Sequence, residues 1–182
     1  MEKNSITISA QLKQYGFTGS HFDDFISNNN EILEIRNCIS MEIPDGEFGE
    51  REFLEKLKNN GFKKFVFCDD FKKYLKSCKT KLFPRKILIT PCYLKKQLGD
   101  SKIFSKNNCF NHSDILWIIS CLITETEELN IKNMYPNIFY VKQGLSFFVI
   151  IVYFTKENNL CIGKFSLREH KPYKKDSYLF LI

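Results

Sequence analysis

Alanine is almost absent from this chain: Ala10 is the one alanine in 182 residues, beside 23 Lys, 20 Ile, 18 Phe and 15 Asn. We read that bias as the mark of AT-rich codon usage, which would give the lysines a source other than selection for an acidic partner. Arginine is scarce too, at positions 36, 51, 85 and 168 alone. Since Arg supplies the planar fork that grips phosphates and reads base edges, its scarcity weighs against nucleic-acid recognition. The eight glycines are scattered and form neither GxGxxG nor GxxxxGK[ST], which excludes a glycine-rich phosphate loop. The seven cysteines are odd in number and contain no CxxC pair, so neither a disulfide framework nor a zinc finger is expected. Cys68 and Cys121 sit in apolar stretches, where a thiol acts as a small hydrophobe, and a reduced cytoplasmic protein follows. The longest apolar run, Leu145 to Phe154, is broken by Ser146 and is about half the ~20 residues a membrane helix needs. Met1 to Ser5 leads into no sustained apolar stretch, so neither a secretory signal nor a membrane partner is expected.

What is present is charge, and it is segregated. Residues 1–55 carry 4 Lys/Arg against 11 Asp/Glu, a net of −7. Residues 56–106 carry 15 against 3, a net of +12, and residues 107–182 carry 8 against 7, a net of +1. Such asymmetry bears on partners and not on fold. An acidic block able to fold back on the basic one would reduce any external field.

The length suits one globular domain spanning 1–182: an acidic 1–55, a basic 56–106, and a central helix with a hairpin sheet in 107–182. In the acidic block, Asp23 to Ser27 reads as a short helix, Ile32 to Ile43 as one or two strands, and Pro44-Asp45-Gly46 as a turn. Glu50 to Asn60 has an acidic first turn, Lys56 and Lys58 near its end and Gly61 beyond, all marks of a helix. Phe62 to Cys68 is strand-like. Asp69 or Asp70 then caps a helix whose Phe71, Tyr74, Leu75 and Cys78 share a face. Lys86 to Thr90 reads as a strand, and Thr90-Pro91 as the start of a helix ending at Gly99. From Asn111 or Ser113 to about Leu129 runs a helix apolar on more than one side, hence buried. Leu145 to Thr155 and Leu160 to Leu167 form the clearest hairpin, flanked by Asn137–Val141 and Tyr178–Ile182. The expected fold is α+β, a helix-rich N-terminal two-thirds packed on a C-terminal antiparallel sheet. The alternative is three-layer α/β, with residues 62–90 as a parallel crossover.

No catalytic set, cofactor site or metal site emerges. Cys109 and His112 lie three apart near a helix start, but have no matching pair at finger spacing and no recognisable catalytic surround. Asp69-Asp70 after a strand invites Mg²⁺, yet helix capping explains the pair without a ligand. Two surfaces remain. The basic block offers Lys72, Lys73, Lys76, Lys79, Arg85, Lys95 and Lys96 to an acidic protein surface, in a small protein-binding chain of the inhibitor or immunity type that lacks catalytic activity. The alternative is RNA or DNA binding, or a small nuclease, using residues 63–106 and the loop at 168–175, with Arg168, His170, Tyr173 and Lys174. The rings interleaved with the lysines, Phe65, Phe67, Tyr74, Phe83, Tyr93 and Phe104, are expected to point inward while the lysines coat the outer face; under the nucleic-acid alternative exposed rings would stack on bases instead.

Overall fold

The computed structural model of the chain describes residues 33–95, 109–125, 135–157, 159–167 and 177–182. Their elements run β1 (Leu33–Ile35), β2 (Ile39–Ile43), β3 (Gly46–Gly49), α1 (Glu50–Asn59), β4 (Phe65–Phe67), α2 (Asp69–Ser77) and β5 (Lys79–Leu82). There follow β6 (Arg85–Leu94), β7 (Phe110–Asn111), α3 (Ile115–Glu125), β8 (Asn137–Gln143), β9 (Ser146–Phe154), β10 (Leu160–Ser166) and β11 (Tyr178–Leu181). The expected helix at Asp23–Ser27 and the expected helix stop at Gly99 lie outside the described residues.

Local chemistry sets the three described helices. At the head of α1 the Gly49 N–H donates to the Glu52 carboxylate at 3.1 Å, and backbone and Arg51 contacts hold that carboxyl below its usual range. The helix stops where the Asn60 and Gly61 N–H groups donate back to Leu57 and Lys58 carbonyls, with Gly61 at φ +87°. α2 is capped by Cys68, whose sulfur accepts the Phe71 N–H at 3.4 Å, and not by either aspartate. Asp69 and Asp70 occupy the first turn instead, where negative charge meets the positive end of the helix dipole. Phe71, Tyr74, Leu75 and Cys78 are buried, as their spacing predicts. α3 begins after Asp114, whose carbonyl accepts the Ile118 N–H at 2.9 Å, and its residues 115, 116, 118–123 are all buried.

Nine strands form one mixed sheet in the order β1-β6-β11-β8-β9-β10-β4, with β2 also on β6 and β7 also on β8. β3 and β5 make a separate two-stranded sheet. The β9–β10 hairpin forms in the expected place, Phe154 opposite Leu160 and Phe148 opposite Ser166. β8 joins β9 through a tight turn with Gly144 at φ +60°, and β11 lies parallel to β8. A helix-rich N-terminal part stacked on a C-terminal sheet is therefore not what the chain builds. N-terminal β1, β2 and β6 are strands of the same sheet as C-terminal β8 to β11. The parallel crossover expected within residues 62–90 is absent as well: β4 runs parallel to β10, at the far end of the sheet from β6.

The largest departure is at Thr90-Pro91, where no helix starts and β6 continues to Leu94. Pro91 is tolerated for a geometric reason. Its carbonyl accepts the Arg36 N–H at 2.9 Å, so its nitrogen faces the same edge, in the gap between β1 and β2. Arg36 opposite Pro91 continues the β1 register with the one bond that pair can make, and the missing donor falls where β1 ends, before β2 takes up the same edge.

The sheet is buried on both faces. Helices α1 to α3 cover one, where Phe53, Phe71, Phe110, Phe139, Phe154 and Phe180 pack; Phe139 stacks on Phe180 at 4.6 Å. The other face holds a second buried cluster of Cys92, Leu94, Ile138, Tyr140, Val149, Leu179 and Leu181. This explains why β6 and β8 read as nearly continuous apolar runs and not as alternating strands.

Candidate protein-docking surface

The acidic and basic blocks meet strand against strand. β2 lies antiparallel on β6 with Glu42 opposite Lys86, and β3 lies on β5 with Glu47 opposite Lys81. The two ladders share one register, since Ile43 faces Arg85 and Gly46 faces Leu82. Carried through the break between them, that register sets Pro44 opposite Pro84 and Asp45 opposite Phe83. Neither proline has an N–H to donate, so no rung forms and the ribbon bends there. The expected turn at Pro44-Asp45-Gly46 is thus a bend in a continuing ribbon, with Gly46 at φ +143°.

Most of the described basic candidates are paired inside the chain. Lys72 meets Asp69 at 3.0 Å and Lys73 meets Asp70 at 3.5 Å, both along α2. Lys79 reaches Glu47 at 3.0 Å across the ribbon, and Lys95 lies 3.9 Å from Glu34. Arg85 pairs with Asp114, whose buried carboxylate also accepts the Ser113 hydroxyl at 3.1 Å. The Thr80 hydroxyl ties the same corner to the Ser113 carbonyl at 2.8 Å. Lys76 is exposed on α2 and has no ion-pair partner among the described residues. Lys96, Arg168, His170, Tyr173 and Lys174 lie outside the described residues.

The interleaved rings divide. Tyr74 is buried and Phe65 and Phe67 pack against the core, as expected of rings that point inward. Phe83 does not follow: it is 58% exposed on the bend, with the Lys81 ammonium 5.6 Å above its ring. Sequence reasoning grouped Phe83 with the inward rings. The signal that separates it is Pro84, which interrupts the ladder and frees Phe83 from the alternation of its neighbours.

The other constellations resolve into structure. Burial pushes the Cys109 thiol up to about 11, the reverse of an activated nucleophile. His112 enters the fold through its backbone, its N–H donating to the Lys142 carbonyl and its carbonyl accepting the Tyr74 hydroxyl. Among the described residues no group of three or more His, Cys, Asp or Glu side chains is placed to hold a metal ion. No described helix is long and apolar enough to cross a membrane. No family model matches the chain, and no curated protein or solved structure matches it.

Proposed function

We propose that this chain is a cytoplasmic protein-binding protein of the inhibitor or immunity type, without catalytic activity. It docks on an acidic partner surface through the outside of the bent ribbon, with Phe83 as apolar anchor, Lys81 beside it and the exposed Lys76 of α2 as a further cation. The observation that carries the reading is the exposure of Phe83 under the Lys81 ammonium, on a bend set by two prolines. A large ring held on a stiff backbone loses little freedom on binding, and aromatic residues dominate interface hot spots. The neutralised lysines around it favour a protein over a polyanion, because intramolecular pairing removes the sustained positive field that phosphates require. All seven cysteines are thiols outside any disulfide, which supports a reducing compartment.

The test is affinity capture from the cell of origin at low salt, with wild-type chain, Phe83→Ala and Lys81→Glu as baits and nuclease added. The expected result is one stoichiometric acidic protein held by wild type, lost with Phe83→Ala and weakened by Lys81→Glu. Equal capture by all three baits, or material that nuclease removes, overturns the proposal.

A further inference from the structure

A polar contact on the helix-covered side of the sheet lies apart from this surface. Lys56 on α1 reaches across to α3, where its ammonium donates to the Cys121 sulfur at 2.9 Å and to the Glu125 carboxylate at 2.6 Å. The Trp117 ring stands 5.7 Å from the same nitrogen. Nitrogen and sulfur are closer than an ordinary van der Waals contact, too far apart for a direct bond, and near the separation that one intervening oxygen spans. From this geometry we propose that Lys56 and Cys121 are an oxidative modification site, closed by peroxide into a covalent nitrogen–oxygen–sulfur bridge that staples α1 to α3.

The surroundings suit a pair that rests open and closes on demand. Burial pushes the Cys121 thiol up, with the Lys56 hydrogen bond acting against it. Desolvation disfavours the Lys56 charge, but hydrogen bonds to Cys121 and Glu125 outweigh it and raise that group too. The resting state is therefore thiol beside ammonium. Cys121 itself is 1% exposed, whereas the Lys56 side chain is 24% exposed and Glu125 58%, so a small oxidant enters from the amine end.

Hydrogen peroxide is the oxidant. Attack by the Cys121 sulfur breaks one peroxide O–O bond, leaving a sulfenic acid and releasing water. Lys56 passes a proton to Glu125, and its free amine takes oxygen from a second peroxide, becoming a hydroxylamine with release of a second water. Condensation of hydroxylamine with sulfenic acid forms the oxygen–sulfur bond and expels a third water. Four electrons pass from nitrogen and sulfur to the two peroxides, and a thiol reductant reverses the bridge.

Intact-mass and peptide mapping of the purified full chain, before and after hydrogen peroxide, tests this. The expected product gains one oxygen and loses two hydrogens, joins the Lys56 and Cys121 peptides, and reverts with dithiothreitol. Its thermal midpoint rises, since the bridge closes a loop between residues 65 apart. Cys121→Ser and Lys56→Arg both abolish the product, and Lys56→Arg retains a cation for Glu125 so that folding is preserved. Four results overturn the proposal: whole oxygens added at Cys121, loss of two hydrogens with no oxygen gained, a product that persists in Lys56→Arg, or oxidation of Cys121 no faster than that of amine-free Cys92.

Discussion

Asp114 concentrates the stability of the ribbon's inner side in one carboxylate, 2% exposed and held by Arg85, which is 36% exposed. Removing one partner of a fully buried ion pair costs about 3–5 kcal/mol, and the solvent at Arg85 reduces that. Arg85→Met, which strands the buried carboxylate, is expected to lower stability by about 2 kcal/mol. Asp114→Asn leaves a guanidinium free to turn to water and costs about 1 kcal/mol. The double variant loses less than the sum of the two; additive urea midpoints would show that the groups are not coupled. The thiols give a second residue-scale expectation. Burial pushes Cys109 up to about 11 and Cys92 to about 12, from an ordinary 9.0. Above pH 9 the unfolded chain releases these protons while the native chain keeps them, so stability falls as pH rises. Below that pH the two thiols contribute no slope. The urea midpoint should stay level with respect to these groups up to about pH 9 and decline beyond it, more gently in Cys92→Ala. An equal decline in that variant would remove Cys92 from the account.

Elements whose signals are local were legible in the sequence, and those set by distant partners were not. α1 announced itself by its acidic first turn and Gly61, α2 by the burial spacing of Phe71, Tyr74 and Leu75, and the β9–β10 hairpin by two apolar runs around a polar turn. All of these depend on residues a few positions apart. By contrast, β4 finds its parallel partner in β10, with Phe65 beside Leu160, and nothing near residue 65 encodes that pairing. β6 misled because Thr90-Pro91 carries a helix-start signature that burial on both sheet faces overrides. The candidate surface was half legible: its lysines could be read, but their pairing with Glu34 and Glu47 and the outward turn of Phe83 depended on strand register. If Pro91 survives because its nitrogen faces the gap between β1 and β2, Pro91→Ala should change stability by less than about 1 kcal/mol. Ile89 presents its backbone to the same edge but opposite Ile39 in β2, so Ile89→Pro removes a ladder bond and should unfold the chain at much lower denaturant. Equal effects of the two changes, read by urea denaturation, would refute this account of β6.

At the scale of the molecule, the fold uses its charge segregation internally. The −7 block and the +12 block are separate in sequence, yet the fold lays acidic β2 and β3 against basic β6 and β5. The individual pairs contribute little stability: Lys79 and Glu47 are both mostly exposed, and such pairs contribute about 0.2–1 kcal/mol. Their larger consequence is for partners, because each glutamate offsets a lysine that would otherwise add to a polyanion-binding field. Glu42→Gln with Glu47→Gln should therefore leave the urea midpoint nearly unchanged, within about 1 kcal/mol. The same double change should strengthen retention on a heparin column and binding to single-stranded RNA, with a steeper dependence on salt than wild type. Lys79, which Glu47 pairs, and Lys86, opposite Glu42, are the residues through which that gain should act, so adding Lys79→Glu and Lys86→Glu should abolish it. Tight, salt-sensitive RNA binding by the unaltered chain would instead mean that the paired acidic strands do not neutralise the basic block, and the acidic-protein reading would yield to nucleic acid.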